Sequence, residues 1–499
     1  MKQFKYSVFS LILLTASFMY GEQLKQPNNT ACEAKEAFSE TEHEIMIGNN
    51  LIAYKATVGS LILKKECKEK ANIFFTSYTK KGTDLGTRPI TFCFNGGPGS
   101  SSVWLHLGFV GPKKVFFDEN IEALPPYKLV DNSSSLLDIT DLVFIDPVST
   151  GYSRAIPQKD AKDFHGVESD IASIGEFIRL YLSRFNRWES PKFLMGESYG
   201  TTRAAGLAGY LHDQEFIYIN GLVLISSVLN FQSVDFKSNN DLPYLLFLPT
   251  YTATAYHHKK LEEGLQKNFE ETLRQAKNFV ITDYSQALFK GDLLSSEEKH
   301  KIIKDLSKFT GISADYIDKS NLRVDIFSFT KELLRNDKET IGIFDSCMKG
   351  KDKLAIGSSI EYDPSFSLVG AFTATLNHYL QNDLKWITDE HYKVMTNVFP
   401  WDYGCSNSYL DVSETLRSTM TKNTSIEVFV GSGYFDLATP FFGTEYTFHH
   451  LGLDSSLKDH ITIKNYQGGH MMYLYPQTLI ELKKDLVNYY QKTLSKSKK

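Results

Sequence analysis

The chain has 499 residues, and its 54 Lys and Arg against 59 Asp and Glu leave a net charge of −5. That length excludes one small module, and a hydrophobic share of 42% with 35 Phe, 27 Tyr and 4 Trp excludes disorder and coiled coil. No basic stripe exists apart from the terminal stretch 492–499, which reads as a solvated tail, so the balance argues against a nucleic-acid partner.

At the start, Lys2 and Lys5 precede an apolar run at 8–20 that is too short to span a bilayer comfortably. This reads as a secretory signal peptide over 1–21, with Ser17 and Gly21 as the small residues for cleavage. The mature protein is therefore expected to be secreted or periplasmic, with no stable membrane insertion. Cys32, Cys67, Cys93, Cys347 and Cys405 are far apart and form no C-x-x-C pair, which argues against structural zinc and against a disulfide-dense scaffold. Cys93 lies in an apolar run and reads as a buried thiol, leaving Cys32 with Cys67 and Cys347 with Cys405 as pairing candidates.

Short β-type runs at 51–58, 60–63, 73–78 and 89–94 alternate with turn residues. A further strand at 142–145 ends at Asp146-Pro147, after which Val167, Ile171, Ile174, Ile178, Tyr181 and Phe185 recur at helical spacing. Strand 193–195, a helix rich in Ala and Gly at 201–211, and strand 217–225 follow, with late strands at 426–430 and 461–465. Strands alternating with helices imply an α/β fold with a mostly parallel sheet covered on both faces. Between them the texture turns helical. Leu261, Leu265, Phe269, Leu273 and Ala276 share one face, Ser295 and Glu298 have capping-box spacing ahead of Ile302, Ile303 and Leu306, and Gly311 is placed to stop that helix. Segments 325–334 and 364–380 add two more. The predicted organisation is a core over 45–230, a mainly helical insertion over 231–396, and the rest of the core over 397–495.

The sharpest local signal is Gly196-Glu197-Ser198-Tyr199-Gly200, a serine between a short strand and a helix opening on small residues. A nucleophile elbow needs that context, because the tight turn holds the serine in a strained conformation while the glycines let helix and strand approach. A serine hydroxyl is a poor nucleophile unaided, so a base and an acid must follow. Asp436 comes after strand 426–430 and a Gly-Ser-Gly turn, and His470 after strand 461–465 and Gly468-Gly469, each just past a strand's C-terminal end. His449 and His450 fall in a predicted helix, and His257 and His258 at a predicted helix start. Asp146 is the rival acid, but it precedes the serine and Pro147 suggests a structural turn. No H-E-x-x-H spacing exists, and no metal or cofactor is expected. The Gly-rich segment Asn95-Gly96-Gly97-Pro98-Gly99-Ser100-Ser101-Ser102 follows strand 89–94, where glycines can turn backbone N–H donors toward an oxyanion.

With these residues in hand, the sequence resembles a serine carboxypeptidase, specifically the bacterial branch of that family. The segments RPITFCFNGGPGSSSVW, FIDPVSTGYSR, FLMGESYGTTR, GSGYFDLATP and YQGGHMMYLYP carry the resemblance, which spans roughly residues 45–490. It implies an α/β-hydrolase fold with a helical cap and peptide substrates with a free C-terminus. It also implies Ser198 as nucleophile, His470 as general base and acid, and Asp436 as the residue holding the imidazole tautomer. Gly97 and Tyr199 would form the oxyanion hole, while Asn95, Gly96 and Glu197 would grip the substrate carboxylate. An ionised Glu197 would repel that carboxylate whereas a protonated one donates to it, so binding is expected to weaken from pH 5 to 8. Two positions depart from the better-known pattern. Ser100 stands where many members carry a disulfide-forming Cys, and Phe109 where they carry an acid supporting the Glu. An acyltransferase or esterase on the same triad is the alternative activity, and a non-catalytic binding protein a third reading. Aromatics such as Tyr244, Phe247, Tyr251 and Tyr256 would either shape an apolar specificity pocket or form the insertion's own core.

Overall fold

A computed structural model describes residues 36–118 and 121–496; the predicted signal peptide and Cys32 lie outside them. The strands are β1 (Phe38–Ile47), β2 (Asn50–Lys65), β3 (Lys68–Lys80), β4 (Ile90–Phe94), β5 (Asp141–Ile145), β6 (Lys192–Glu197), β7 (Gly221–Ile225), β8 (Glu427–Gly433) and β9 (Ile461–Tyr466). They lie in one sheet in the order β1-β2-β3-β5-β4-β6-β7-β8-β9, with the two-residue strand Arg154–Ala155 added beside β3. The first three strands and the β3–β5 pair are antiparallel, and every pair from β5 onward is parallel. The predicted runs at 51–58 and 60–63 are one long strand. β1 went unread because it is an edge strand whose alternate positions are exposed, Glu40, Glu42 and Glu44 among them, and its order comes from distant contacts, chiefly its pairing with β2.

Strands β4, β5, β6 and β7 are buried at every position except Lys192, as a parallel sheet covered on both faces requires. Their side chains alternate between two cores. Phe92, Leu194, Leu222 and Leu224 face α1 (Val167–Arg184), α2 (Tyr199–Asp213) and much of the 242–334 region. Cys93, Met195, Val223 and Ile225 face the opposite way, toward the residue 105–110 turn.

Residues 226–426, between β7 and β8, carry α3 (Leu242–His257), α4 (Phe269–Phe279), α5 (Ser296–Thr310), α6 (Val369–Asn382) and α7 (Ser413–Lys422). The Ser295/Glu298 capping box forms in both directions and Gly311 ends α5 in the left-handed region at φ 69°. The amphipathic face counted from Leu261 starts later than predicted. Asn268 caps the helix by accepting the Glu271 N–H, so Leu261 and Leu265 belong to the preceding turn. His257 and His258 sit at the end of α3 rather than at a helix start. Tyr251 and Phe247 are buried in the insertion's core, where Tyr251 stacks on Phe329 at 4.0 Å.

After β8 come α8 (Phe441–His449) and, following β9, α9 (Pro476–Lys496), whose Leu482, Leu486, Tyr489 and Tyr490 cover the second face of the sheet. The terminal basic stretch is therefore not all solvated tail. Thr493 is buried, and Lys492 and Lys496 both pair with the buried carboxylate of Glu427. Cys67, Cys93, Cys347 and Cys405 carry free thiols. The Cys347–Cys405 pairing is thus not formed: Cys347 is enclosed beside Asp345 and Tyr475, whereas Cys405 is exposed.

Candidate active site

The G-x-S-x-G residues are dictated by contact distances. A methyl group at Gly196 would sit 2.1 Å from the Gly200 carbonyl oxygen, and one at Gly200 would sit 2.7 Å from that of Phe94. Only glycine lets β6, α2 and β4 converge so closely. Ser198, at the turn between β6 and α2, has φ 60° and ψ −132°, a strained conformation for a side-chain-bearing residue that costs about 1–3 kcal/mol. Its backbone is held on both sides, by its N–H to Ile225 O at 3.0 Å and by the Thr201 N–H and hydroxyl to its carbonyl.

Asp436 and His470 meet after β8 and β9. His470 Nδ1 lies 2.8 Å from Asp436 Oδ2. The same carboxylate accepts the N–H groups of Ala438 and Thr439 on Oδ1 and the Thr439 hydroxyl on Oδ2. With so many donors aimed at it, Asp436 is a fixed acceptor, and the proton of neutral His470 is directed onto Nδ1, leaving Nε2 as the basic nitrogen. Burial alone would lower the His470 pKa, but Asp436 and then Glu197 and Asp363 reverse this and the net shift is upward. The His470 main chain is clamped as well: its N–H donates to Phe344 O at 2.6 Å and its carbonyl accepts the Ser226 hydroxyl at 2.7 Å. Asp146, the rival acid, accepts the N–H and hydroxyl of Ser102 instead and supports the glycine-rich loop.

That loop crosses the start of α2. A methyl at Gly96 would lie 2.5 Å from Tyr199 N, and Gly97 has φ +102°. Among the described residues, neither the Gly97 nor the Tyr199 N–H donates to another backbone carbonyl, so both can serve an external oxygen. The loop is pinned from beneath by Arg203, a wholly buried side chain that donates to Asn95 O at 2.5 Å and pairs with Asp170 of α1 at 2.8 Å. Its upper edge is tied to the insertion, with Thr396 N–H bonded to Gly99 O, Ser101 N–H to Val394 O, and a β-bridge between Ser100 and Met395. The backbone supplies here the tether that the absent cysteine at Ser100 removes, and the Ser100 hydroxyl accepts from Trp104 Nε1.

Glu197 is buried next to the serine. Burial pushes its carboxyl up to about 7 against the opposing pull of His470 and of hydrogen bonds from Tyr473 and Asn95, with the Asp436 charge adding to the rise. Asn95, Gly96, Gly97, Glu197, Ser198 and His470 all line one cavity. Trp104, Phe344, Phe366, Val369, Met395 and Met471 give the rest of its wall a mainly apolar character, with Ser100 and Ser365 among them. Sequence reasoning assembled the polar half of this cavity and missed the apolar half; the aromatics it singled out, Tyr244 to Tyr256, do not line it. It also missed Thr439, Ser226, Arg203 and Tyr473, of which Thr439 and Tyr473 were within reach, lying three residues past Asp436 and His470.

A site with a serine in a strained elbow, an Asp-bound histidine and two unspent N–H groups can carry out acyl transfer through a tetrahedral oxyanion. Part of the chain is 22% identical over 234 residues to serine carboxypeptidase-like 33 of Arabidopsis thaliana, an overlap of 43% of this chain and 45% of that protein; the chain thus matches about half the length of that relative. The fold resembles the crystal structure of Kex1(delta)p, a prohormone-processing carboxypeptidase of Saccharomyces cerevisiae, with a TM-score of 0.57 at 17% identity over 88% of this chain and 91% of that one. Residues 55–477 match the serine carboxypeptidase family, and the chain belongs to it.

Proposed function

We propose that this protein is a serine-type carboxypeptidase that removes C-terminal amino acids from peptides through an acyl-enzyme. Ser198 Oγ attacks the last peptide carbonyl as His470 Nε2 takes its proton, and the N–H groups of Gly97 and Tyr199 hold the oxyanion. His470 then protonates the leaving amine, the terminal amino acid departs, and a water activated by His470 releases the shortened peptide from Ser198. Asp436 keeps the imidazole oriented and stabilises its protonated form. The bacterial-branch reading rests on the quoted motifs, and export on the run at 8–20; no helix among the described residues is long and apolar enough to cross a membrane.

The observation that carries the proposal is Glu197. A buried acid beside the nucleophile would serve little purpose in an endopeptidase, but one still protonated near neutrality can donate to a substrate's terminal carboxylate alongside Asn95 and the Gly96 N–H. The apolar wall opposite suits hydrophobic side chains next to the scissile bond. N-blocked dipeptides with free and amidated C-termini, assayed between pH 4 and 8 with Ser198→Ala as the blank, test it. The free acid should be cleaved much faster at acid pH. Equal rates would exclude carboxylate-directed action, and faster transfer to alcohols than to water would favour the acyltransferase reading.

A further inference from the structure

The Glu197 carboxyl has one hydrogen-bond partner that the mechanism above does not use. Tyr473, in the short turn Met472–Leu474 after His470, donates its hydroxyl to Glu197 Oε2 at 2.6 Å. The phenol is wholly buried and its placement is rigid. Its ring lies flat on Phe109, centroids 4.9 Å apart and planes 4° from parallel, and a methyl at Gly108 would strike it at 2.8 Å. Phe109, the apolar residue at the position where an acid was expected, is thus the platform that aims this phenol.

We propose that Tyr473 is a specificity-determining positioning residue: by donating to Glu197 Oε2 it obliges the acid proton of Glu197 onto Oε1, the oxygen left to meet a substrate's terminal carboxylate. This rests on the carboxypeptidase reading and deepens it. The titratable groups acting on Glu197 are His470 after β9, Asp436 after β8 and Tyr473 itself, with Asn95 as a polar neighbour. Burial and the neighbouring Glu197 raise the Tyr473 phenol well above its ordinary value, so it stays protonated throughout the working range. Glu197 is then the sole proton-binding group of the carboxylate clamp, and the clamp should open with the loss of a single proton. Because the phenol donates to the anion, it also holds the opening pH lower than burial alone would.

The test is the ratio of kcat/KM for a free-acid peptide to that for its amidated counterpart, followed from pH 4 to 9, since ionisation of His470 affects both substrates and largely cancels. Wild type should lose this ratio about tenfold per pH unit above its midpoint, the signature of one proton. Tyr473→Phe keeps the ring on Phe109 but removes the donor. The midpoint should move up by about one unit, while at pH 5 the ratio falls roughly threefold to tenfold for want of the positioned proton. An unchanged midpoint in Tyr473→Phe would overturn the proposal, as would a two-proton slope in wild type, a measurement that does not depend on the variant folding. Glu197→Gln separates the role of Tyr473 from the carboxypeptidase activity itself. Its ratio should become independent of pH, and if wild type shows no preference for the free acid, the carboxypeptidase reading fails rather than the role of Tyr473.

Discussion

The α/β frame and the segment between β7 and β8 contribute to the same cavity in different ways. The frame supplies Ser198, Asp436, His470, Glu197 and the glycine-rich loop, each at a strand end and each fixed by hydrogen bonds or by contacts only glycine permits. The insertion supplies Phe344, Phe366, Val369 and Met395, which reach the cavity as apolar surface. On the proposed mechanism, bond-making chemistry resides where geometry is over-determined, and selectivity where packing can vary without disturbing it. The division is incomplete at two places. Phe344 O receives the His470 N–H, and the 394–396 segment edges the glycine-rich loop, so the insertion also closes the site.

The largest effects are expected on the frame side. Ser198→Ala should lower kcat by about 10⁵ or more with the fold intact, as measured by steady-state kinetics beside a thermal melt. Asp436→Asn should cost about 10⁴ in kcat, because the amide presents an N–H where His470 needs an acceptor. Arg203→Met should act on stability as well as on rate: it leaves the Asp170 carboxylate buried without its partner, at a cost of about 3–5 kcal/mol in denaturant unfolding, and it frees the Asn95 carbonyl. Changes on the insertion side should be gentler and of a different kind. Phe366→Ala or Val369→Ala should shift kcat/KM between large and small apolar substrates by about 10-fold to 200-fold, leaving active-site titration by a serine reagent unchanged. The smallest effect separates neither region but reads the clamp. With the Glu197 carboxyl at about 7, the protonated form that can donate prevails below that pH. KM for free-acid peptides should therefore be flat at pH 5 and worsen about tenfold per unit above neutrality.

Much of the frame could be read from sequence because its constraints act locally. Gly196 and Gly200 are glycine for contacts within four residues or with the adjacent strand, and the Ser295/Glu298 box is a one-turn device. What escaped reading depends on distant partners. α3 is apolar on nearly every side and contains Pro249, so no periodic stripe marks it. The docking of Lys496 needs Glu427, 69 residues away, and the Tyr473–Glu197 bond joins residues 276 apart. Of the apolar cavity wall, Trp104 and Met471 lie in quoted segments, but Phe344, Phe366, Val369 and Met395 come from separated stretches outside all of them. Ser100 and Phe109 were recognised as departures, but that a backbone bridge and a stacked phenol stand in for what they lack is visible only in three dimensions.

On the proposed mechanism, Glu197 and the glycine-rich loop direct Ser198 to the last peptide bond. Incubating a ten-residue peptide and its C-terminal amide with the protein at pH 5, and following both by mass spectrometry, tests this most directly. Stepwise loss of single residues from the C-terminus of the free acid is expected, with the amide essentially intact. Internal cuts, release from the N-terminus, or equal trimming of the amide would contradict it.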